Sequence, residues 1–228
     1  MTRVFRTRPS HPYAHAPRFP DEGPVEIGEL VRADAGGAAL APARFEIEVG
    51  PGRGVFVAER CAARPDAFVL GLEIRLKWAT LVDARLVRAG LAHRARILAA
   101  DARDALARLG PGGSVGAVFL HFPDPWWKKR HEKRLVLGAD LLDHIARLLV
   151  PGGELFIQTD VEERADQYAS LVAAHSAFEP AGDRGGSALL ADNPYGARSP
   201  REKRAIADGL PIHRMRWRRK GDAAGPSA

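Results

Sequence analysis

Short apolar runs rich in β-branched and aromatic residues alternate along this chain with longer stretches of helical spacing. The runs cover 45–49 (Phe-Glu-Ile-Glu-Val), 67–72 (Ala-Phe-Val-Leu-Gly-Leu), 95–99, 116–120 and 154–158. Helix-like segments lie at 53–64, 75–89, 102–109, 133–149 and 161–175. In 133–149, Leu137, Leu141, Leu142, Ile145, Leu148 and Leu149 share one stripe. Val150-Pro151-Gly152-Gly153 then gives a stop-and-turn signal. Strands alternating with helices at this spacing predict an α/β fold, a mostly parallel sheet with helices on both faces and right-handed crossovers. Residues 211–218 alternate apolar with basic side chains and predict a last strand with one solvent face. Residues 1–24, rich in Pro, His and Arg without period, read as a basic, flexible arm, 25–220 as a single domain, and 221–228 as a disordered tail.

Composition removes several classes. With 228 residues, 46% apolar and 27% charged, the chain is neither collagenous, coiled-coil nor wholly disordered. The lone Cys61 excludes an internal disulfide and a Cys-built zinc site, and reads as a small core residue. His93, His144, His175 and His213 stand apart from other ligand types, so no metal site is expected. The N-terminal residues have no apolar signal region, and nothing approaches the roughly 18–20 apolar residues of a membrane span. A cytoplasmic protein without membrane contact is expected, and monomer and homodimer are left equally open.

The net charge of +6 is uneven. Residues 1–20 carry Arg3, Arg6, Arg8 and Arg18 without an acid, and residues 195–220 carry nine basic residues against Glu202 and Asp208. These ends hold +4 and +7, which leaves −5 for the rest. Clustered cations at the ends point to a polyanion partner. Trp126-Trp127-Lys128-Lys129-Arg130-His131-Glu132-Lys133-Arg134 adds aromatics beside cations, which suits stacking on bases and contact with phosphates.

Every strand candidate ends at or just before an acid: Glu48, Glu73, Asp101, Asp124 and Asp160. Ligands of parallel sheets bind beyond this edge. The first strand-to-helix turn is Glu48-Val49-Gly50-Pro51-Gly52-Arg53-Gly54. Its glycines allow close backbone approach at a helix N-terminus. Val55 breaks the dinucleotide fingerprint, and no Gly-Lys-Ser/Thr follows for a Walker A loop. A carboxylate ahead of the glycines repels a pyrophosphate and attracts the amino and sulfonium groups of S-adenosylmethionine. Glu73 is placed to accept from ribose hydroxyls, and Asp101 from an adenine amino group.

This arrangement resembles the Rossmann-like class I S-adenosylmethionine-dependent methyltransferases, which implies a seven-stranded sheet. The segment Phe122-Pro123-Asp124-Pro125-Trp126-Trp127-Lys128-Lys129-Arg130-His131 narrows it, because F-P-D-P-W-x-K-x-R-H is similar to the motif of the tRNA (guanine-N7)-methyltransferase family. The resemblance covers about 44–180 and places Glu48, Gly50, Gly52, Gly54, Glu73, Asp101 and Asp124 on methyl-donor contacts, with Asp124 also catalytic. It places Lys128 and Asp160 on substrate contacts, and the family's T-x-x-E motif on Ser199-Pro200-Arg201-Glu202. Pro200 and Arg201 depart from the usual middle of that motif, and Leu135 stands where a further Arg is common. The implied reaction is methyl transfer from S-adenosylmethionine to N7 of a guanosine in tRNA, position 46 of the variable loop, with no metal. Alternatives are a methyltransferase acting on another RNA, a protein or a small molecule, and a non-catalytic tRNA-binding protein on the same fold.

Overall fold

The computed structural model describes residues 11–31, 44–123 and 136–221. Its sheet is built on runs that are apolar on both faces. Strands β2 (Arg44–Val49), β3 (Ala67–Glu73), β4 (Ala95–Ala99), β6 (Val115–His121) and β7 (Leu149–Thr159) pair in parallel in the order β4-β3-β2-β6-β7. All seven residues of β3 and of β6 are buried, as expected where helices cover both faces of a parallel sheet. Strand β10 (His213–Arg219) joins antiparallel to β7, and β8 (Phe178–Pro180) and β9 (Leu189–Leu190) pair with β10. The seven-stranded row that was expected is present, with β9 as an eighth strand beside it. A separate parallel pair joins β1 (Val25–Glu26) to β5 (Leu109–Gly110).

Helices α3 (Ala102–Arg108), α4 (Ala139–Leu148) and α5 (Glu162–Ala173) pack on one face with Ile47, Leu70, Val118 and Ile157. Helices α1 (Val55–Ala63) and α2 (Leu76–Arg88) cover Val69, Ala95 and Ile97 on the other. On that second face Phe56, Phe119, Phe156 and Tyr195 form an aromatic layer with centroids 4.8–6.4 Å apart. Helix α6 (Pro200–Ala207) precedes β10.

Three differences from the sequence reading have local causes. The helix expected over 133–149 has Gly138 as its N-cap and runs from Ala139 to Leu148. Leu137 is therefore buried ahead of the helix, and Leu149 opens the next strand. The Pro151-Gly152-Gly153 turn lies inside β7 as a bulge, where the register against β6 shifts. Residues 11–24, read as part of a flexible arm, are docked where they are described. The Ala99 N–H donates to the Pro17 carbonyl at 2.7 Å, and Phe19 joins the core beneath the Arg108 guanidinium. Cys61 is wholly buried, and burial pushes its thiol up to about 11.

Candidate active site

The turn after β2 is shaped by its glycines. Gly50, Gly52 and Gly54 have φ of +73°, +54° and +68°, a region costly for residues with a Cβ. Gly54, the left-handed N-cap of α1, also lies against Val82, and a Cβ there would collide with that side chain. A Cβ on Gly50 would meet nothing within 4 Å, so the turn opens onto free space. Glu73 pins the turn to the end of β3, accepting from the N–H groups of Gly52 and Arg75, each at 2.9 Å.

Four of the five acids predicted at strand ends lie on this carboxyl edge: Glu48 on β2, Glu73 on β3, Asp101 after β4 and Asp160 after β7. Asp101 caps α3 by accepting from the Arg103 N–H and pairs with the Arg103 guanidinium at 3.0 Å. Asp160 is ion-paired to Arg201. Asp124 and Lys128 lie outside the described residues, as does the whole of the Asp-Pro-Trp-Trp block. The chain enters that segment through Phe122, which has φ of +49° and donates its N–H to the Gln158 carbonyl at 2.7 Å. For a bulky residue this backbone is strained by about 1–3 kcal/mol, as is common beside reacting groups.

Glu48 is the least satisfied of the edge acids. It is buried, and its Oε1 accepts from His121 Nδ1 at 2.7 Å. Its Oε2 is buried with no hydrogen-bond partner among the described residues, as are His121 Nε2 and Gln158 Oε1. An orphan buried carboxylate oxygen costs several kcal/mol in isolation. Beside an open glycine turn it fits a ligand that brings a cation or an N–H donor.

Ser199 and Glu202 reach the same edge from α6, in a way that the sequence did not disclose. Ser199 is the N-cap of α6, its hydroxyl accepting from the Glu202 N–H at 3.2 Å. Glu202 is 0% exposed. Its Oε2 accepts from Gln158 Nε2 at 3.1 Å and Asn193 Nδ2 at 2.9 Å, and its Oε1 is paired with Arg214 at 3.2 Å. His121, Gln158, Asn193 and Arg214 were thus missed as site residues. Only His121 carried a signal, since it lies two residues after Phe119 on a strand that runs into the motif.

The basic face expected to meet solvent on the last strand is turned inward. Arg214 is buried on Glu202, Arg216 is half-buried, and only Arg218 of that face is exposed. At least seven of the nine basic residues in 195–220 have an acidic partner within 4 Å among the described residues: Arg198, Arg201, Lys203, Arg204, Arg214, Arg216 and Arg218. The field this end projects is correspondingly weaker than +7 suggests. Among the described residues no His/Cys/Asp/Glu group could hold a metal ion, and no helix is long and apolar enough to cross a membrane.

The family described as "Putative methyltransferase" matches residues 43–215. A tRNA (guanine-N(7)-)-methyltransferase of Anaeromyxobacter dehalogenans (strain 2CP-C) is 38% identical over 176 residues, 77% of this chain and 86% of that protein. Its counterpart in Myxococcus xanthus (strain DK1622) is 32% identical over 172 residues, 75% of this chain and 82% of that one. Among solved structures, the 16S rRNA methyltransferase KamB shares the fold with a TM-score of 0.54 at 17% identity, over 78% of this chain and 88% of its own. This chain belongs to the tRNA (guanine-N7)-methyltransferase family, within the Rossmann-like class of S-adenosylmethionine-dependent methyltransferases.

Proposed function

We propose that this protein methylates N7 of the variable-loop guanosine of tRNA, position 46, with S-adenosylmethionine as donor. The observation that carries the reading is the unpartnered, buried Glu48 oxygen at the mouth of the Gly50–Gly54 turn, on an edge that also holds Glu73, Asp101 and Asp160. That setting fits a cationic nucleoside rather than a pyrophosphate. Glu48 takes the donor's amino group, Gly50, Gly52 and Gly54 line its approach, Glu73 takes ribose hydroxyls, and Asp101 takes the adenine amine. The bound donor supplies a methyl group made electrophilic by the sulfonium.

Guanine N7 presents a lone pair and no proton, so no general base is needed to uncover the nucleophile. The protein's work is alignment and charge stabilisation. Asp124 faces the cation that develops on the purine, and Lys128 holds a phosphate or base oxygen. Asp160 and Glu202 accept from guanine N1–H and the exocyclic amine, and Ser199 fixes Glu202 through the helix cap. For Glu202 to take this role its Gln158 and Asn193 hydrogen bonds must be shared with, or yield to, the base. The guanosine has to leave its stacked setting to reach the edge.

The test is methyl transfer from labelled donor to bulk tRNA, followed by chemical cleavage at the product nucleotide. Cleavage at the variable-loop guanosine is expected. Cleavage elsewhere overturns the position, and turnover without RNA overturns the substrate class. Asp124→Asn is expected to lower kcat about a hundredfold or more, the scale of a lost electrostatic contact to the transition state.

A further inference from the structure

At the opposite edge of the sheet, where β2 and β7 begin and β10 ends, lies a cavity of about 490 Å³. Five arginines line it: Arg44 from β2, Arg60 and Arg64 from the end of α1, and Arg216 and Arg218 from β10. It takes no part in the chemistry proposed above. Like charges gathered this closely repel, so their clustering needs a compensating anion.

The protein supplies only part of that compensation. Glu46, wholly buried, takes Arg60 in a two-pronged bond of 2.7 and 2.8 Å, with Arg44 Nε at 3.5 Å. Glu154 lies 3.6 Å from Arg216 and 3.4 Å from Arg218, while its other oxygen accepts from the Tyr195 hydroxyl at 3.0 Å. Asp66 pairs with Arg64 at 2.7 Å. Among the described residues, three carboxylates pair with these five guanidiniums, an excess of two positive charges.

The guanidiniums are also held in place rather than loose. Arg44 donates to the Gly116 carbonyl at 2.7 Å, over a glycine whose missing Cβ leaves room for its side chain, and its Nε is buried with no hydrogen-bond partner among the described residues. Arg60 donates to the Tyr195 carbonyl at 2.6 Å, and Arg216 Nε to the Ala181 carbonyl at 2.7 Å. Arginine forks fixed in this way match the paired oxygens of a tetrahedral oxyanion.

We propose that this cavity is a phosphate-binding site, remote from the methyl-transfer edge. The phosphate group has two sources, a free anion such as inorganic phosphate or a nucleotide, and the backbone of bound RNA. The RNA source rests on the proposed tRNA substrate, and the free-anion source does not.

Arg64 is half-buried and Arg218 exposed; their side chains pair with Asp66 and Glu154, and both lie outside the proposed catalytic machinery. The double variant Arg64→Gln/Arg218→Gln is compared with wild type and with Arg88→Gln/Arg184→Gln, which removes the same charge from exposed positions elsewhere. Equal thermal midpoints confirm that each variant is folded. Equilibrium dialysis with labelled inorganic phosphate reads the free anion, and filter binding of tRNA across a salt series reads the backbone. The Arg64/Arg218 variant is expected to lose roughly tenfold or more in phosphate affinity, as for two charged hydrogen bonds, with the control unchanged. If tRNA affinity and its salt slope also fall, by about one or two, the phosphate belongs to RNA. If tRNA binding holds while inorganic phosphate is lost, the ligand is a free anion. Phosphate and tRNA binding both indistinguishable from the control variant would overturn the proposal.

Discussion

Replacing His121 tests how Glu48, the carboxylate proposed to take the methyl donor, is held. His121 and Glu48 are each 2% exposed at the side chain and 2.7 Å apart, and among the described residues His121 is the only hydrogen-bond partner of the Glu48 carboxylate. A hydrogen bond to a charged group contributes about 1.5–3 kcal/mol. His121→Leu removes it and leaves both carboxylate oxygens without a donor. For a chain of this size that loss lowers the thermal midpoint by roughly 3–12 °C. If about half of it is felt as lost orientation toward the ligand, the KM for S-adenosylmethionine rises roughly four- to twelvefold, since 1.4 kcal/mol is a factor of ten. The KM for tRNA stays within about twofold of wild type on the same reasoning, because His121 acts through Glu48. His121→Asn keeps a side-chain N–H near the Nδ1 position and is expected to recover most of the donor KM. The measurement is steady-state methyl transfer with each substrate varied in turn, beside a melt. A leucine variant with wild-type donor KM refutes the positioning role, even if it melts early.

Three further outcomes follow from the same geometry. Gly54→Ala forces a Cβ into a left-handed position against Val82, so a destabilisation of about 1–3 kcal/mol is expected in urea unfolding. Cys61, buried and with its thiol pushed up to about 11, should resist a thiol reagent at pH 8 in the native protein and react fully in denaturant. At acid pH, the Asn193 backbone and Arg198 hold the Asp192 carboxyl below its usual value. Burial raises Glu59, but Lys203 and the Arg198 backbone outweigh it and leave that carboxyl lowered as well. Because folded values below unfolded ones stabilise above the ordinary carboxylate range, this contribution disappears as pH falls through the folded values. Glu59→Gln/Asp192→Asn is expected to lower the unfolding midpoint by a constant amount above pH 6 and to shallow the acid limb of the profile between about pH 5 and 3; an unaltered limb refutes the assignment.

The five parallel strands and the helices between them were legible because long elements repeat their apolar residues at a fixed period. Strands β1, β5, β8 and β9 are two or three residues long, too short to show any period. Helix α6 escaped because its buried residues are Glu202 and Ala205 on an otherwise charged segment, which reads as surface. The edge acids were legible because each follows an apolar run. Their partners were not, since a buried Gln158 or Asn193 is spelled like an exposed one, and only the fold brings it to Glu202. The last strand shows the limit most clearly. Its alternation separates the two faces of β10 but does not say that the loop carrying Tyr195 and helix α6 cover the basic one.

Strand β10 also sets an order of assembly. It follows all the other described strands in the chain, yet it sits between β7 and β8 and, among the described residues, is the only strand that β8 pairs with. A chain still emerging from the ribosome can form the parallel part of the sheet while a slot beside β7 stays open. Until Arg214 arrives, the Glu202 carboxylate lacks its closest cationic partner. Chains that have not yet made β10, or are truncated before it, are therefore expected to expose the β7 edge and to be substrates for chaperones and proteases, and the proposed guanine-facing half of the site is complete only once β10 is in place.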